Sequence, residues 1–435
     1  MARLGILDLG SGYLKVVIAD NGENPPTVIA AQQFRSKGIN KGVIVKNSLA
    51  RKVIKEALKQ MENLDGDDIK TYHILLSHPA TKVENIKVNL QLGENPVDIN
   101  EEHLTRLEKE VVTKAKENGY EIIHIVPKFF YLDGEKYFEP LGLWASRIEG
   151  EYFVVKIPSP VVKNTERLLT SIGYKAGKIV FPPLAAAQFL LNEDEEEINT
   201  LIIDIGYTTS SFLYIKEGSP TEGGVIGLGV KNIVENLAKH YRIPSIKEIE
   251  RLIEEHGFEY LLTESDEVTE TIKIREDYQV VVKLSEFVQL FAEQLSTILE
   301  SILLEAYKKG INLDKDVDTF AFVGGFAAIK GLKPLIESIL EKEVIIAKPI
   351  SIDSLEPYID SPIFTSAIGA LLLMEQMEDR LESFSDYFGI PEDREDNLTD
   401  VFVNRTIYEE PLEQEEKKGF FKRLITSIKR LISED

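Results

Sequence analysis

Two stretches about 200 residues apart repeat one pattern, Leu4-Gly-Ile-Leu-Asp8-Leu-Gly10-Ser11-Gly12 and Leu201-Ile-Ile-Asp204-Ile-Gly206-Tyr207-Thr208-Thr209. Each is a short apolar run ending in Asp-x-Gly, then small or hydroxyl residues, then a second apolar run. Glycine at such a turn lets backbone N–H groups approach phosphate oxygens without a Cβ in the way. Ser11, Thr208 and Thr209 add hydroxyl donors, and Lys15 brings an ammonium seven residues after Asp8. Two carboxylates would repel bare phosphate, so Asp8 and Asp204 make chemical sense with Mg²⁺ between them, held through water. One Asp-x-Gly is an ordinary β-turn. A pair implies a duplicated fold whose halves meet around a nucleoside triphosphate. A third strand closes on glycines at Val323-Gly324-Gly325-Phe326. Paired glycines there allow close approach of a flat adenosine.

Composition removes several other chemistries. The chain has 435 residues, no cysteine, six histidines and a net charge of −23. Thiolate metal sites and disulfides are excluded. The histidines lack the His-Glu-x-x-His spacing, and neither a complete P-loop nor Gly-x-Ser-x-Gly is present. The acidic balance argues against nucleic acid as a bulk partner. No uninterrupted apolar run reaches the roughly 18 residues of a membrane-spanning helix. The first residues enter a strand at once, which predicts no signal peptide.

The pattern along the chain predicts the elements that position these turns. Residues 3–20 read as a β-hairpin. Asn47–Asn63 reads as a helix with Leu49, Val53, Ile54, Ala57, Leu58 and Met61 on one side. Residues 80–158 form a separate α+β segment: strand Val83–Leu90, helix Glu101–Asn118, and strands near Ile122–Leu132 and Arg147–Ile157. The second half opens at Asn199–Ile205. A hairpin leads through Gly227 and Gly229 into helix Lys231–Tyr241. An insert over 243–315 ends in a long amphipathic helix, Leu284–Lys309, closed by Gly310. Ser366-Ala-Ile-Gly369-Ala370 offers small residues where two helices can cross closely.

The tail changes character twice. Residues 375–416 hold fifteen acidic and three basic residues. From 382 to 416 the chain reads as an acidic, self-repelling linker. Residues 417–435 then carry six Lys or Arg against two acids. At 100° per residue, Phe420, Phe421, Leu424, Ile425, Ile428, Leu431 and Ile432 fall within an arc of about 140°. Lys422, Arg423, Lys429 and Arg430 lie outside it. That is the pattern of an in-plane membrane helix on anionic headgroups. A partner's groove and a docked core helix are the alternatives.

Together these motifs resemble the actin-like ATPase superfamily, and within it the FtsA family of bacterial cell-division proteins. Ser36-Lys-Gly38-Ile-Asn-Lys-Gly42-Val43 is similar to that family's Gly-rich strand. Ile123-His124-Ile-Val-Pro127-Lys-Phe-Phe-Tyr131-Leu-Asp133-Gly134, with Pro140-Leu-Gly142 after it, is similar to its own inserted subdomain. The resemblance implies an α/β, two-lobed actin-like fold of duplicated ribonuclease H-like domains, with ATP and Mg²⁺ in the cleft. It assigns 1–79 and 159–190 to the first lobe, with a helix at about 361–381 packing back, and 80–158 to the insert. It assigns 191–242 and 316–360 to the second lobe and 243–315 to that lobe's partner-binding insert.

The resemblance also carries site residues over. Asp8, Gly10, Ser11, Gly12, Tyr13 and Lys15 match the first phosphate loop, and Asp204, Gly206, Tyr207, Thr208 and Thr209 the second. Gly324, Gly325 and Phe326 match the adenosine turn, with Gly227 and Glu250 nearby. Implied partners are the FtsZ C-terminal peptide, other division proteins through 80–158, the chain itself as filaments, and the anionic inner membrane at the division site. One departure stands out. Relatives often carry Glu or Gln where this chain has Pro182, a position that helps orient the attacking water, so slow hydrolysis or none is expected. Two other readings stay open: a scaffold resembling PilM of type IV pilus assembly, which normally lacks such a terminal helix, and a small-molecule kinase of the superfamily.

Overall fold

The computed structural model describes residues 3–20, 22, 25–65, 69–190, 198–259, 268–349 and 359–381. The predicted linker and terminal helix lie outside these residues. Strands β1 (Arg3–Asp8), β2 (Tyr13–Asp20) and β3 (Thr27–Arg35) form an antiparallel meander. A two-residue pair follows, β4 (Ile39–Asn40) and β5 (Val43–Ile44), then α1 (Asn47–Asp65) and β6 (Thr71–Leu75). On α1 the buried positions are Ala50, Ile54, Ala57, Leu58 and Met61. Leu49, expected on that face, is 40% exposed. The stripe begins at Ala50 because 50, 54, 57, 58 and 61 keep the 3.6-residue period that 49 breaks.

The insert contains β7 (Lys82–Gln91), β8 (Val97–Asp98), α2 (Glu101–Ala115), β9 (Tyr120–Leu132), β10 (Glu135–Tyr137), β11 (Trp144–Ala145) and β12 (Arg147–Pro158). Its main sheet runs β10-β9-β12-β7. Ile86, Val88 and Leu90 face α2 and the insert's own core. Val83, three residues before Ile86 and so on the opposite face, joins the core between the lobes. The chain returns to the first lobe through α3 (Ser159–Ser171), β13 (Lys175–Val180) and α4 (Pro182–Ala186).

The second half repeats the first. Strands β14 (Thr200–Ile205), β15 (Ser210–Lys216) and β16 (Ser219–Ile226) form a second meander. Helices α5 (Val230–His240) and α6 (Ile246–His256), hairpin β17 (Thr269–Arg275) with β18 (Tyr278–Lys283), and α7 (Leu284–Lys308) follow. Strand β19 (Thr319–Val323), α8 (Leu332–Leu340), β20 (Glu343–Ile346) and α9 (Thr365–Leu381) complete it. The first sheet is ordered β13-β6-β1-β2-β3 and the second β16-β15-β14-β19-β20. In both, an Asp-bearing strand pairs antiparallel with the next strand and parallel with a later one. The repeated motif is therefore a repeated sheet.

Both sheets are buried on two faces, which is why their strands read as nearly continuous apolar runs. Helices α1 and α3 cover the outer face of the first sheet. Helices α5, α7 and α8 cover the outer face of the second. Between the sheets lie α4 and α9, packed with Ile6, Val17, Ile202 and Leu213. By length and composition α7 could cross a bilayer. Here Phe287, Phe291, Leu295, Leu299 and Ile302 bury one face in the second lobe instead.

Helices α4 and α9 touch through the predicted small-residue stretch. A Cβ on Gly369 would run into the carbonyl oxygen of Ala185. Gly369→Val is expected to cost at least about 2 kcal/mol, because the overlap is with backbone and cannot be relieved by a rotamer change. Urea unfolding monitored by circular dichroism would measure the loss.

The insert also touches the second lobe. Asn85 Nδ2 donates to the Thr221 carbonyl at 2.8 Å, and Lys136 pairs with Glu217 at 2.7 Å.

Candidate functional site

The two Asp-x-Gly turns meet in a cavity of about 390 Å³ between the lobes, within the size range of small-molecule pockets. Asp8 ends β1 and lies opposite Lys15 on β2. Lys15 Nζ donates to Asp8 Oδ2 at 2.8 Å. Asp204 ends β14, in the equivalent place. The turns are built alike. A Cβ on Gly10 would strike the Tyr13 carbonyl, and a Cβ on Gly206 would lie 2.7 Å from the Thr209 carbonyl. Thr208 Oγ1 donates to Ser11 Oγ at 2.8 Å, and the Lys41 N–H donates to Thr208 Oγ1 at 2.9 Å. The predicted Gly-rich strand thus joins the phosphate turns through its backbone.

Charge is concentrated at this end. Burial works against the ammonium of Lys15, but Asp8 and Asp204 outweigh it and raise its pKa. Burial pushes the Asp204 carboxyl up to about 6, with Lys15 pulling down and Asp8 adding to the rise. Two carboxylates share one ammonium, an arrangement with room for a divalent cation and its phosphate ligands.

The other end is apolar. Val230, Val234, Ile253, Phe326 and Ile329 line it. Gly324 has φ +81°, and a Cβ there would strike Asp204 Oδ1. Only glycine lets the third turn close against the second carboxylate. Gly325 and Phe326 line the wall beside it.

All the predicted loop residues line this cavity except Gly227 and Gly324. Gly227 faces the Lys41 ammonium instead. Gly324 acts from behind, through Asp204. Glu250 lines the cavity, but its carboxylate is occupied. It pairs with Arg35 at 2.6 Å and accepts from Tyr207 Oη at 2.7 Å. Burial, then this hydrogen bond, raise the Tyr207 phenol well above its usual range. The Arg35 guanidinium lies 5.1 Å from the Tyr13 ring centroid and 5.5 Å from that of Tyr207. Arg35 on β3 and Glu250 on α6 therefore strap the first lobe to the second across the cleft.

Sequence reading missed Arg35, which ends a strand without any motif. It also missed Ile253, although three residues after Glu250 on an amphipathic helix was a usable signal. Pro182 lines the cavity too. The residue before it, Phe181, donates its N–H to the buried Nε2 of His124 at 2.9 Å. Burial, reinforced by Lys178, lowers the His124 pKa to about 3, so it stays a neutral acceptor. The insert thereby braces the cavity wall.

Among the described residues one cluster has metal-ligand geometry, Glu255, His256 and Glu270. Its counter-charge is Arg251, which pairs with Glu255 and, at 3.6 Å, with Glu270.

Residues 201–369 match the family model described as Cell division protein FtsA. Residues 78–156 match the SHS2 domain inserted in FtsA. Cell division protein FtsA of Borreliella burgdorferi is 25% identical over 386 residues, which cover 86% of this chain and 91% of that protein. The subunit fold is similar to a chain of the PilM–PilN type IV pilus biogenesis complex, with TM-score 0.61 at 15% identity over 85% of this chain and 98% of that one. It is also similar to MreB 5 of Spiroplasma citri bound to AMPPNP, with TM-score 0.50 at 12% identity over 88% and 99%. These two likenesses concern the actin-like fold alone.

Proposed function

Because the chain belongs to the FtsA family of cell division proteins, we propose that it binds ATP in the cleft, polymerises, and tethers the FtsZ ring to the cytoplasmic membrane. The observation that carries the nucleotide reading is the junction of the two turns, where Asp8, Lys15 and Asp204 gather under the Ser11–Thr208 link. In this reading Lys15 and the backbone of residues 9–12 and 205–209 hold the phosphates. Asp8 and Asp204 hold Mg²⁺ through water, and the apolar wall ending in Phe326 takes the adenine. Bound between these carboxylates, a divalent cation would supply charge neutralisation to the phosphates.

Pro182 offers neither a proton acceptor nor a hydrogen-bond donor to an attacking water. ATP then serves as an assembly ligand that shifts the balance between open and closed lobes. The Arg35–Glu250 strap belongs to the closed arrangement. The tether is assigned to 417–435, with Phe420, Phe421, Leu424, Ile425, Ile428, Leu431 and Ile432 in the acyl boundary. Residues 382–416 give it reach. The insert 243–315 takes the FtsZ peptide, and 80–158 takes other division proteins.

Co-sedimentation with phosphatidylglycerol vesicles, with and without Mg·ATP, tests this reading. The full chain should pellet, more so with Mg·ATP, and should then carry a peptide of the FtsZ C-terminus with it. Failure to pellet under both conditions would remove the tether and bring forward a pilus-type scaffold.

A further inference from the structure

The insert exposes several large apolar side chains close together in the chain. Phe138 is 59% exposed, Leu141 52%, Leu143 37% and Trp144 70%, all within seven residues of chain. Phe138, Leu141 and Leu143 sit between β10 and β11, and Trp144 opens β11, on a stretch fixed by its backbone. The Gly142 N–H donates to the Ile99 carbonyl and the Ile99 N–H to the Leu143 carbonyl, both at 2.9 Å. Trp144 pairs with Asp98 across β8 and β11. The segment is thus held in place, and large apolar side chains exposed together on a fixed segment mark an interaction site.

Its rim is acidic. The strand and cap opposite Leu143 and Trp144, residues 92–102, carry Glu94, Asp98, Glu101 and Glu102 and no Lys or Arg. Glu135 and Glu139 flank Phe138 and are exposed. Two cations stand at its edge and both are paired: Lys136 with Glu217 of the second lobe, its ammonium 5.2 Å from the Phe138 ring centroid, and Arg147 with Glu149 at 3.5 Å. The occupant this chemistry selects is a helix with large apolar residues on one face and cations on the other.

The chain itself carries such a segment. Residues 417–432 hold seven large apolar residues and six Lys or Arg. The described chain ends at Leu381, and the 35 residues to Glu416 can extend to about 115 Å. A compact body of this size has a radius of gyration of about 21 Å. The tether therefore reaches any face, and an intramolecular helix acts at an effective concentration on the order of millimolar.

We propose that the acid-rimmed face of Phe138, Leu141, Leu143 and Trp144 is the docking site of the chain's own terminal helix when no membrane is present. The same residues of the helix then serve two surfaces in turn, and anionic lipid competes with the insert for them. The membrane half of this statement rests on the tether reading above. The docking half does not.

Trp144 is the single tryptophan of the chain, so its fluorescence reports this face alone. The experiment compares the full-length protein with full-length Phe420→Glu/Ile428→Glu, in dilute solution without lipid. The docked wild type should show blue-shifted emission and weaker acrylamide quenching than the variant. Full-length Glu135→Lys/Glu139→Lys should shift toward the helix variant, as should wild type in high salt. Phosphatidylglycerol vesicles should shift wild type the same way. Identical spectra and quenching in wild type and helix variant would overturn the proposal. So would a blue shift that grows with protein concentration and survives in the helix variant, which would mean a second copy covers the face. If vesicles shift both proteins to the blue, the face itself enters lipid and the proposal also falls. If vesicles shift neither while the two still differ in solution, docking stands and only the tether reading fails.

Discussion

Asp204→Ala is expected to weaken Mg·ATP binding on the order of 100-fold, about 2.7 kcal/mol, and to abolish ATP-dependent assembly. Asp204 is the second of the two carboxylates proposed to hold the metal, and its loss leaves Asp8 alone, shared with Lys15. The nucleotide-free fold should survive. A carboxyl whose pKa burial has raised to about 6 binds a proton more readily folded than unfolded. From about pH 4 to about pH 6 the folded state therefore holds the extra proton, and this group's contribution lowers stability as pH rises. Removing it should leave the melting temperature at pH 7 unchanged or raised. Mg·ATP affinity in the wild type should rise as pH passes through about 6 and Asp204 ionises. Isothermal titration at pH 5.5 and 7.5, with thermal melts of both proteins, checks each statement. Unchanged affinity in the variant would refute the placement of the metal.

Phe420→Glu with Ile428→Glu should release the full chain from phosphatidylglycerol vesicles. Each buried aromatic or aliphatic side chain contributes roughly 1.5–3 kcal/mol, so two together amount to about 3–6 kcal/mol. That corresponds to a partition loss on the order of 100-fold or more, before the added repulsion between two carboxylates and anionic headgroups. Nucleotide binding in the cleft should be untouched. A variant that still pellets as wild type would show that the terminal helix is not the tether.

The two Asp-x-Gly turns were legible because a tight turn closing directly on a buried strand has few solutions in sequence. It needs glycine, and the strand before it must be apolar to be buried. The same logic located Gly324, although its role proved indirect. Leu49 was misplaced because the face was carried back to the first apolar residue, whereas Ala50 keeps the period of Ile54, Ala57, Leu58 and Met61. Gly227 came with the residues the resemblance carries over, yet its neighbour is Lys41.

The sequence by itself determined the duplication, the insert, the glycine turns that end the Asp-bearing strands and the two-signed tail. Each depends on local periodicity or on residue type within a turn. Only the tertiary structure decided what faces what across the cleft. Arg35 and Glu250 are 215 residues apart and pair because two separate lobes close on each other. The acid-rimmed aromatic face likewise exists only where residues 92–102 and 135–144 are brought side by side. Such contacts are set by how packed sheets stack and tilt, and no spacing along one chain encodes them.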